Sequence, residues 1–232
     1  MKEIFIRGIW GIYDNSHRIT KRRSQIDKDI EKVIQSPYQV DFKTYVMGID
    51  NYEKCLKKGI NCQLICEEPY KFDLKKYQYR NKLEIIKWAI ENDSLQEFVY
   101  LDWDCFLQKK LSNDFWKGLR NKREFQANLQ LYHRRKCPWR KYDLRKVPNG
   151  GFIYLRNPDL IYDCIKHWEG NKQDNDEPAW AKIVEQLSGG SWKGIGHYWN
   201  NFEPMFVNLH KASSFDSKML EKKNVNFIHF QG

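Results

Sequence analysis

Hydrophobic and polar positions follow two different periods along the first hundred residues, and the periods predict the elements. Short runs rich in β-branched and aromatic residues, such as EIFIRGIWGIY, FKTYVMGI and NCQLICEE, predict strands. Apolar residues at helical spacing predict helices in SQIDKDIEKVIQS, in NYEKCLKKGI up to Gly59, and in YRNKLEIIKWAIEND, where Leu83, Ile86 and Ile90 share one stripe. Strands alternating with helices indicate an α/β fold with a mostly parallel sheet.

The second half of the chain has a more mixed pattern. The segments DFWKGLRN, PDLIYDCIKHWEG and EPAWAKIVEQL predict helices, and FQANLQLYHRR and GGFIYLR predict strands. An apolar stretch containing FIHF follows near residue 229. We predict one α/β domain over residues 1–232, a mixed sheet flanked by helices, with a change of character near residue 104.

The stretch FVYLDWDCFL places two acids inside an apolar run. Because residues i and i+2 of a strand face the same side, Asp102 and Asp104 can converge where the strand leaves the sheet. Ligands of open α/β sheets bind beyond the carboxyl ends of the strands. Paired carboxylates there suit Mg²⁺ or Mn²⁺, which would neutralise a substrate diphosphate. The same spacing also fits a solvated turn after a strand.

Composition and charge narrow the class of partner. The chain has 232 residues with 41% hydrophobic and 15% aromatic residues, which excludes a disordered composition. Its formal net charge of +10 indicates an anionic partner: nucleic acid, a membrane surface or a phosphorylated substrate. No segment approaches the ~18–20 apolar residues of a membrane span. The start, MKEIFIRGIW, lacks a signal-peptide apolar stretch, so we expect a cytoplasmic protein.

Two basic segments concentrate the positive charge. The first, HRITKRR, follows the first predicted strand, and the second, HRRKCPWRKYDLRK, interleaves bases with aromatic residues. Bases with stacking platforms suit a nucleic-acid backbone, which makes DNA a candidate partner. A solvated basic face and docking on an anionic membrane are the alternatives. The candidate acceptor-binding residues are Arg134, Arg135, Lys136, Trp139, Arg140, Lys141 and Tyr142.

Four stretches, in order, resemble one family. YRNKLEIIKWAIENDSLQEFVYLDWD resembles the segment leading to the D-x-D motif of GT-A-fold glycosyltransferases, which transfer a sugar from a nucleotide sugar. PNGGFIYLRNP is similar to that family's donor-sugar strand, DNDEPAW to its acidic motif at the start of a helix, and FIHFQG to its later His motif. The resemblance implies a GT-A-like, Rossmann-type sheet with a nucleotide-binding half at 1–104 and a donor-sugar and acceptor half at 105–232.

The resemblance also implies roles for individual residues. It implies a Mn²⁺ or Mg²⁺ cofactor bound by Asp102, Asp104 and His229. It implies that Asp176 and Glu177 lie near the reacting carbon. The implied donor-binding residues, which meet the nucleotide or the sugar, are Asp50, Asn51, Arg80, Lys82, Asp102, Asn149, Gly150 and Gly151.

Several of these residues also have a structural interpretation that involves neither catalysis nor ligand binding. His229 follows two apolar residues and fits a buried core histidine. Gly150 and Gly151 fit a turn before a strand. Asp176 and Glu177 fit ordinary acids at a helix N-terminus, where the helix dipole favours them. A basic α/β binding module that has lost its chemistry is therefore the non-enzymatic alternative.

The sequence thus predicts a metal-dependent glycosyltransferase of the hexosyltransferase type, with UDP-sugar as the family's default donor. The basic segments favour a hydroxymethylated pyrimidine of DNA as acceptor, as in small phage-type sugar transferases, and the location would then be the host cytoplasm. A polysaccharide or a lipid-linked sugar is the alternative acceptor.

Overall fold

The computed structural model describes most of the chain in ten segments. They are residues 4–10, 40–70, 80–102, 105–107, 110–122, 125–131, 146–171, 176–187, 206–210 and 227–231. The predicted helix at 24–36 and both basic segments fall outside these ranges, apart from Lys146 at the end of the second. Within the described ranges, no helix is both long and apolar enough to cross a membrane.

Strands and helices are numbered here in chain order. The strands are β1 Phe5–Trp10, β2 Phe42–Met47, β3 Gln63–Cys66, β4 Phe98–Leu101, β5 Cys105–Leu107, β6 Phe125–Leu131, β7 Lys146–Leu155, β8 Phe206–His210 and β9 Phe227–Gln231. The helices are α1 Ile49–Lys57, α2 Arg80–Asp93, α3 Asn113–Lys122, α4 Leu160–Asn171 and α5 Glu177–Leu187.

The main sheet has six strands in the order β3-β2-β1-β4-β7-β6. Strands β3, β2, β1 and β4 are parallel, and β7 and β6 are antiparallel to their neighbours. The prediction of an α/β fold with a mixed sheet, parallel in its first half, is confirmed. The carboxyl ends of β1, β2 and β4 meet at one edge, which we call the carboxyl edge.

A second, three-stranded sheet has the order β5-β9-β8. Strand β9 pairs antiparallel with β5 and parallel with β8. The sequence pattern did not predict this sheet, because β5 has only three residues and its partners lie far along the chain. The apolar run FVYLDWDCFL also divides between two strands: β4 ends at Leu101, and β5 starts at Cys105.

Alternating residues of the central strands enter the two larger hydrophobic cores. On β1, Ile6 faces the core covered by α2, α4 and α5, whereas Phe5 faces the core covered by α3. The same division separates Tyr100 from Leu101 on β4 and Ile153 from Phe152 on β7. Successive side chains of a strand point to opposite faces of the sheet. Because both faces of this sheet are buried, the central strands are continuous apolar runs.

Gly8 of β1 packs against Ile85 of α2. A Cβ atom at Gly8 would lie 2.8 Å from Cδ1 and 3.0 Å from Cγ2 of Ile85, whose side chain is fully buried. Gly118 of α3, in contrast, has nothing within 4 Å of the equivalent position.

We therefore expect Gly8→Ala to lower the free energy of unfolding by about 1–3 kcal/mol through overpacking. Gly118→Ala is the matched control and should raise it by about 0.5–1 kcal/mol, because alanine is the better helix former. Urea unfolding monitored by circular dichroism measures the free energy of unfolding of both variants. Equal effects of the two substitutions would contradict the close packing of α2 on β1.

Candidate functional site

The chain leaves the carboxyl edge of β4 at Asp102 and turns toward β7. The Asp102 N–H donates to the Gly151 carbonyl at 3.0 Å, and the Cys105 N–H donates to the Asp102 carbonyl at 3.0 Å. The thiol of Cys105 also donates to the Gly151 carbonyl at 3.0 Å. These bonds fix the backbone on both sides of the D-x-D segment against the glycine pair of β7.

Lys82, in the first turn of α2, extends to this edge from the face of the sheet that α2 covers. Its Nζ lies 3.0 Å from Asp102 Oδ2 and 3.2 Å from Asp176 Oδ2. It also donates to the Gly150 carbonyl at 3.2 Å. The Lys82 side chain is 2% exposed, Asp176 is 4% exposed and Asp102 is 19% exposed, so only Asp102 is open to a ligand to an appreciable extent. We call Lys82, Asp102 and Asp176 the charge cluster.

Asp176, just before α5, is surrounded by Lys82, Trp180 and Gly150. Its Oδ2 accepts from the indole N–H of Trp180 at 3.0 Å, one turn further along the helix. Gly150 lies against the same oxygen: a Cβ atom there would come within 2.2 Å of Asp176 Oδ2 and 2.9 Å of Lys82 Nζ. Glycine is therefore required at position 150 by close approach rather than by a turn, since it lies within β7.

The environment of the charge cluster keeps the Lys82 side chain charged. Burial alone would lower the pKa of Lys82, but the carboxylates of Asp102 and Asp176 outweigh burial and raise the pKa. The ammonium is therefore charged at any physiological pH. Burial, together with the charge of Asp102, raises the pKa of Tyr100 well above its usual value. The Lys82 ammonium lies 5.6 Å from the centre of that tyrosine ring.

The backbone of β9 places His229 beside β5. His229 is paired with Cys105, which directly follows Asp104, and with Asn208 of β8 on its other side. Asp104 and the His229 side chain lie outside the described part of the structure. Within that part there is no group of three His, Cys, Asp or Glu side chains able to hold a metal. The metal site over Asp102, Asp104 and His229 stays a prediction.

The predicted donor-binding residues occupy different environments. Asp50 is exposed on α1, and the buried Asn51 amide donates to the Met47 carbonyl at 2.9 Å. The Arg80 guanidinium pairs with Glu84 at 2.6 Å and contacts the Ile165 carbonyl at 3.5 Å. Contacts of these residues with a donor remain predictions.

The remaining predicted residues are located less completely. Asn149 lies in β7 opposite Asn128, and Glu177 begins α5 directly after Asp176. The seven predicted acceptor residues between 134 and 142 lie outside the described ranges.

Two residues of the site were missed by the sequence analysis. Trp180 is four residues after Asp176, and this i,i+4 spacing on a helix was a signal that an indole donor could reach the acid. Tyr100 of β4 lies two residues before Asp102, so the strand period predicts that both side chains face the same side of the sheet. Both do point to the side of α2. The contact between Lys82 and Asp176 had no sequence signal, because it depends on how α2 and α5 pack.

Comparison with known proteins supports the fold. No family model matches the chain, and no curated protein matches it. Many solved chains are similar in structure, and several of them are glycosyltransferases. The galactosyltransferase LgtC, solved with donor and acceptor sugar analogues, has 14% identity and a TM-score of 0.52 over 98% of this chain and 87% of that one.

A glycosyltransferase involved in glycosylation of the major capsid of PBCV-1 has 13% identity and a TM-score of 0.52 over 100% of this chain and 94% of that one. Mouse xyloside xylosyltransferase 1 has 7% identity and a TM-score of 0.56 over 99% and 97%. At these identities the likeness concerns the fold. The predicted GT-A-like fold is therefore confirmed.

The contact of Gly150 with Asp176 generates a test that needs no assay of function. Gly150→Ala forces Asp176 away from Lys82, and we expect the free energy of unfolding to fall by about 1–3 kcal/mol through overpacking, with a further loss from the separated ion pair. Gly118→Ala again serves as the control. A crystal structure of the Gly150→Ala variant in which Asp176 keeps its contact with Lys82 would contradict the packing described.

Proposed function

We propose that the chain is a glycosyltransferase that moves a sugar from a nucleotide sugar to an acceptor hydroxyl. The observation that carries the proposal is the charge cluster at the carboxyl edge of a GT-A-like sheet. Two carboxylates from separate elements converge there with the glycine pair of β7. Ligand sites of open α/β sheets lie at this edge.

The balance of charge in the cluster fits sugar transfer. One ammonium and two carboxylates leave a net charge of −1 in a largely buried space. The anomeric carbon of a donor sugar gains positive charge as its bond to the diphosphate breaks. A carboxylate held in place beforehand stabilises that charge without reorganisation during the reaction. We propose Asp176, with Glu177 next to it, as the acid nearest the reacting carbon.

The residues around the D-x-D segment fit a divalent cation. Asp102 is the most exposed member of the cluster, and the β5–β9 register puts His229 beside the residue after Asp104. Two carboxylates and an imidazole are ligands that Mn²⁺ accepts, and Mg²⁺ is the alternative. Asp102, Asp104 and His229 would hold the ion, which, when bound, neutralises charge on the leaving diphosphate. Uridine diphosphate is the nucleotide to test first.

The charge of the chain supports a nucleic-acid acceptor. We infer a hydroxymethylated pyrimidine of DNA, because the net charge is +10 and the segment at 134–146 combines bases with Trp139 and Tyr142. A base within a duplex must be flipped out, or presented on a single strand, to reach a cleft. The solved LgtC complex contains an acceptor sugar analogue, so a glycan acceptor is the second candidate.

Removal of the metal is expected to abolish turnover. With Mn²⁺, the chain should hydrolyse or transfer from a UDP-sugar, and EDTA should stop the reaction. Asp104→Ala should lower kcat/KM by at least about 100-fold, because the leaving group loses its electrophile. Asp114→Ala, an exposed acid on α3, is the control and should leave activity unchanged. Full turnover of Asp104→Ala in EDTA would exclude metal-dependent transfer.

Binding of DNA is expected to depend steeply on salt. Replacing Arg134, Arg135, Arg140 and Lys141 together by Ser should reduce the slope of log K against log salt by roughly 3–4 and raise the KM for hydroxymethylated DNA. Donor hydrolysis without DNA should be retained. The control, with an equal change of charge, replaces the exposed Lys57, Lys58, Lys117 and Lys166 by Ser. Equal slopes for both variants, or transfer to a simple sugar but not to DNA, would favour the glycan acceptor.

A further inference from the structure

The position of Lys82 is unfavourable for a lysine by two separate criteria. The residue is 1% exposed, and an ammonium taken out of water loses several kcal/mol of hydration. It also lies in the first turn of α2, where the helix dipole favours acids and where this helix has no acid. A residue kept where local preferences oppose it indicates a role that local preferences do not supply.

The structure compensates for the buried ammonium through three elements of the fold. Lys82 Nζ contacts Asp102 after β4 at 3.0 Å, Asp176 before α5 at 3.2 Å and the Gly150 carbonyl of β7 at 3.2 Å. An ammonium has three N–H donors, and three protein acceptors lie within reach of it. These contacts leave the ammonium little capacity to bind a nucleotide phosphate while the cluster is intact.

We propose that Lys82 is a positioning residue: its ammonium holds Asp176 and Asp102 at a fixed separation, so that the acid near the reacting carbon and the acid near the diphosphate act as one unit. This inference rests on the proposed function for what the two acids do. It rests on the geometry of the charge cluster for how they are held.

Without the ammonium, the two acids would act against each other. Both Oδ2 atoms lie within 3.2 Å of the same nitrogen, so Lys82→Met would leave two carboxylates facing each other with no cation between them. Their repulsion is strong where water is largely excluded, as it is around Asp176. Asp102 is the more exposed acid and is the one expected to move away. The shared geometry would then be lost, although both acids are still present.

Repulsion between the two acids predicts that the effect of Asp102→Asn on Tm reverses its sign in a double-mutant cycle at one fixed pH. In the native background, Asp102→Asn should lower Tm, because it removes a partner of the buried ammonium. In the Lys82→Met background, the same substitution should raise Tm, because it removes the repulsion. Lys82→Met alone should lower Tm by roughly 10 °C, the loss expected when one partner of a buried ion pair is removed from a chain of this size.

The control pair is Lys43 and Asp93, an ion pair of 2.8 Å whose lysine side chain is 47% exposed. Lys43→Met should shift Tm by at most a few degrees. The effect of Asp93→Asn on Tm should have the same sign in the native and Lys43→Met backgrounds. Should Lys82→Met fail to fold, the double variant Lys82→Met/Asp102→Asn should still fold, since its single remaining acid has no like charge beside it. A double variant no more stable than Lys82→Met would overturn the proposal.

Kinetics give an independent measurement. A positioning role predicts that Lys82→Met lowers kcat by about 100-fold, and that any rise in the donor KM from the displacement of Asp102 is smaller than this loss in kcat. A large rise in KM with unchanged kcat would mean that Lys82 binds the donor directly, which would overturn the proposal.

If the native chain transfers no sugar from any nucleotide donor, the proposed function fails, and the Tm cycle still decides whether Lys82 couples the two acids. Additive Tm effects in the cycle would overturn the coupling.

Discussion

One buried ammonium between two carboxylates connects the elements that form the candidate site. Lys82 belongs to α2, Asp102 follows β4, Asp176 precedes α5, and the Gly150 carbonyl belongs to β7. Neither buried Lys82 nor buried Asp176 would be tolerated in its position alone, because an unpaired charge loses its hydration without compensation. The packing of α2, α5 and β7 around the carboxyl edge therefore depends on a balance of charge as well as on the apolar core.

Much of the fold followed from the sequence, because local patterns specify local structure. The apolar runs of β1 and β4 are buried on both faces, and the helical stripe of Leu83, Ile86 and Ile90 packs against the sheet as its spacing predicts. Gly59 follows α1 with a φ of +72°, the left-handed conformation that a glycine commonly adopts after a helix. Asp102 directly follows a strand, where the D-x-D pattern placed it.

The rest could not be read from the sequence, because it depends on packing between distant segments. Lys82 and Asp176 are brought together by the way α2 and α5 cover the same face of the sheet. The requirement for glycine at position 150 arises from one carboxylate oxygen of Asp176, whereas the sequence suggested a turn or the approach of a donor sugar. The second sheet depends on β5, a strand too short to give a periodic signal. Propensity is a weak guide where tertiary contacts decide.

The pairing of β9 with β5 also has a consequence for the order of folding. Cys105 and His229 are adjacent in the small sheet but far apart along the chain, and closing a loop of that length precedes any stabilisation that the contact provides. The parallel half of the main sheet, formed by segments close in sequence, can consolidate earlier. During synthesis at the ribosome, the region around the D-x-D segment is therefore completed late, after the sheet that carries it has formed.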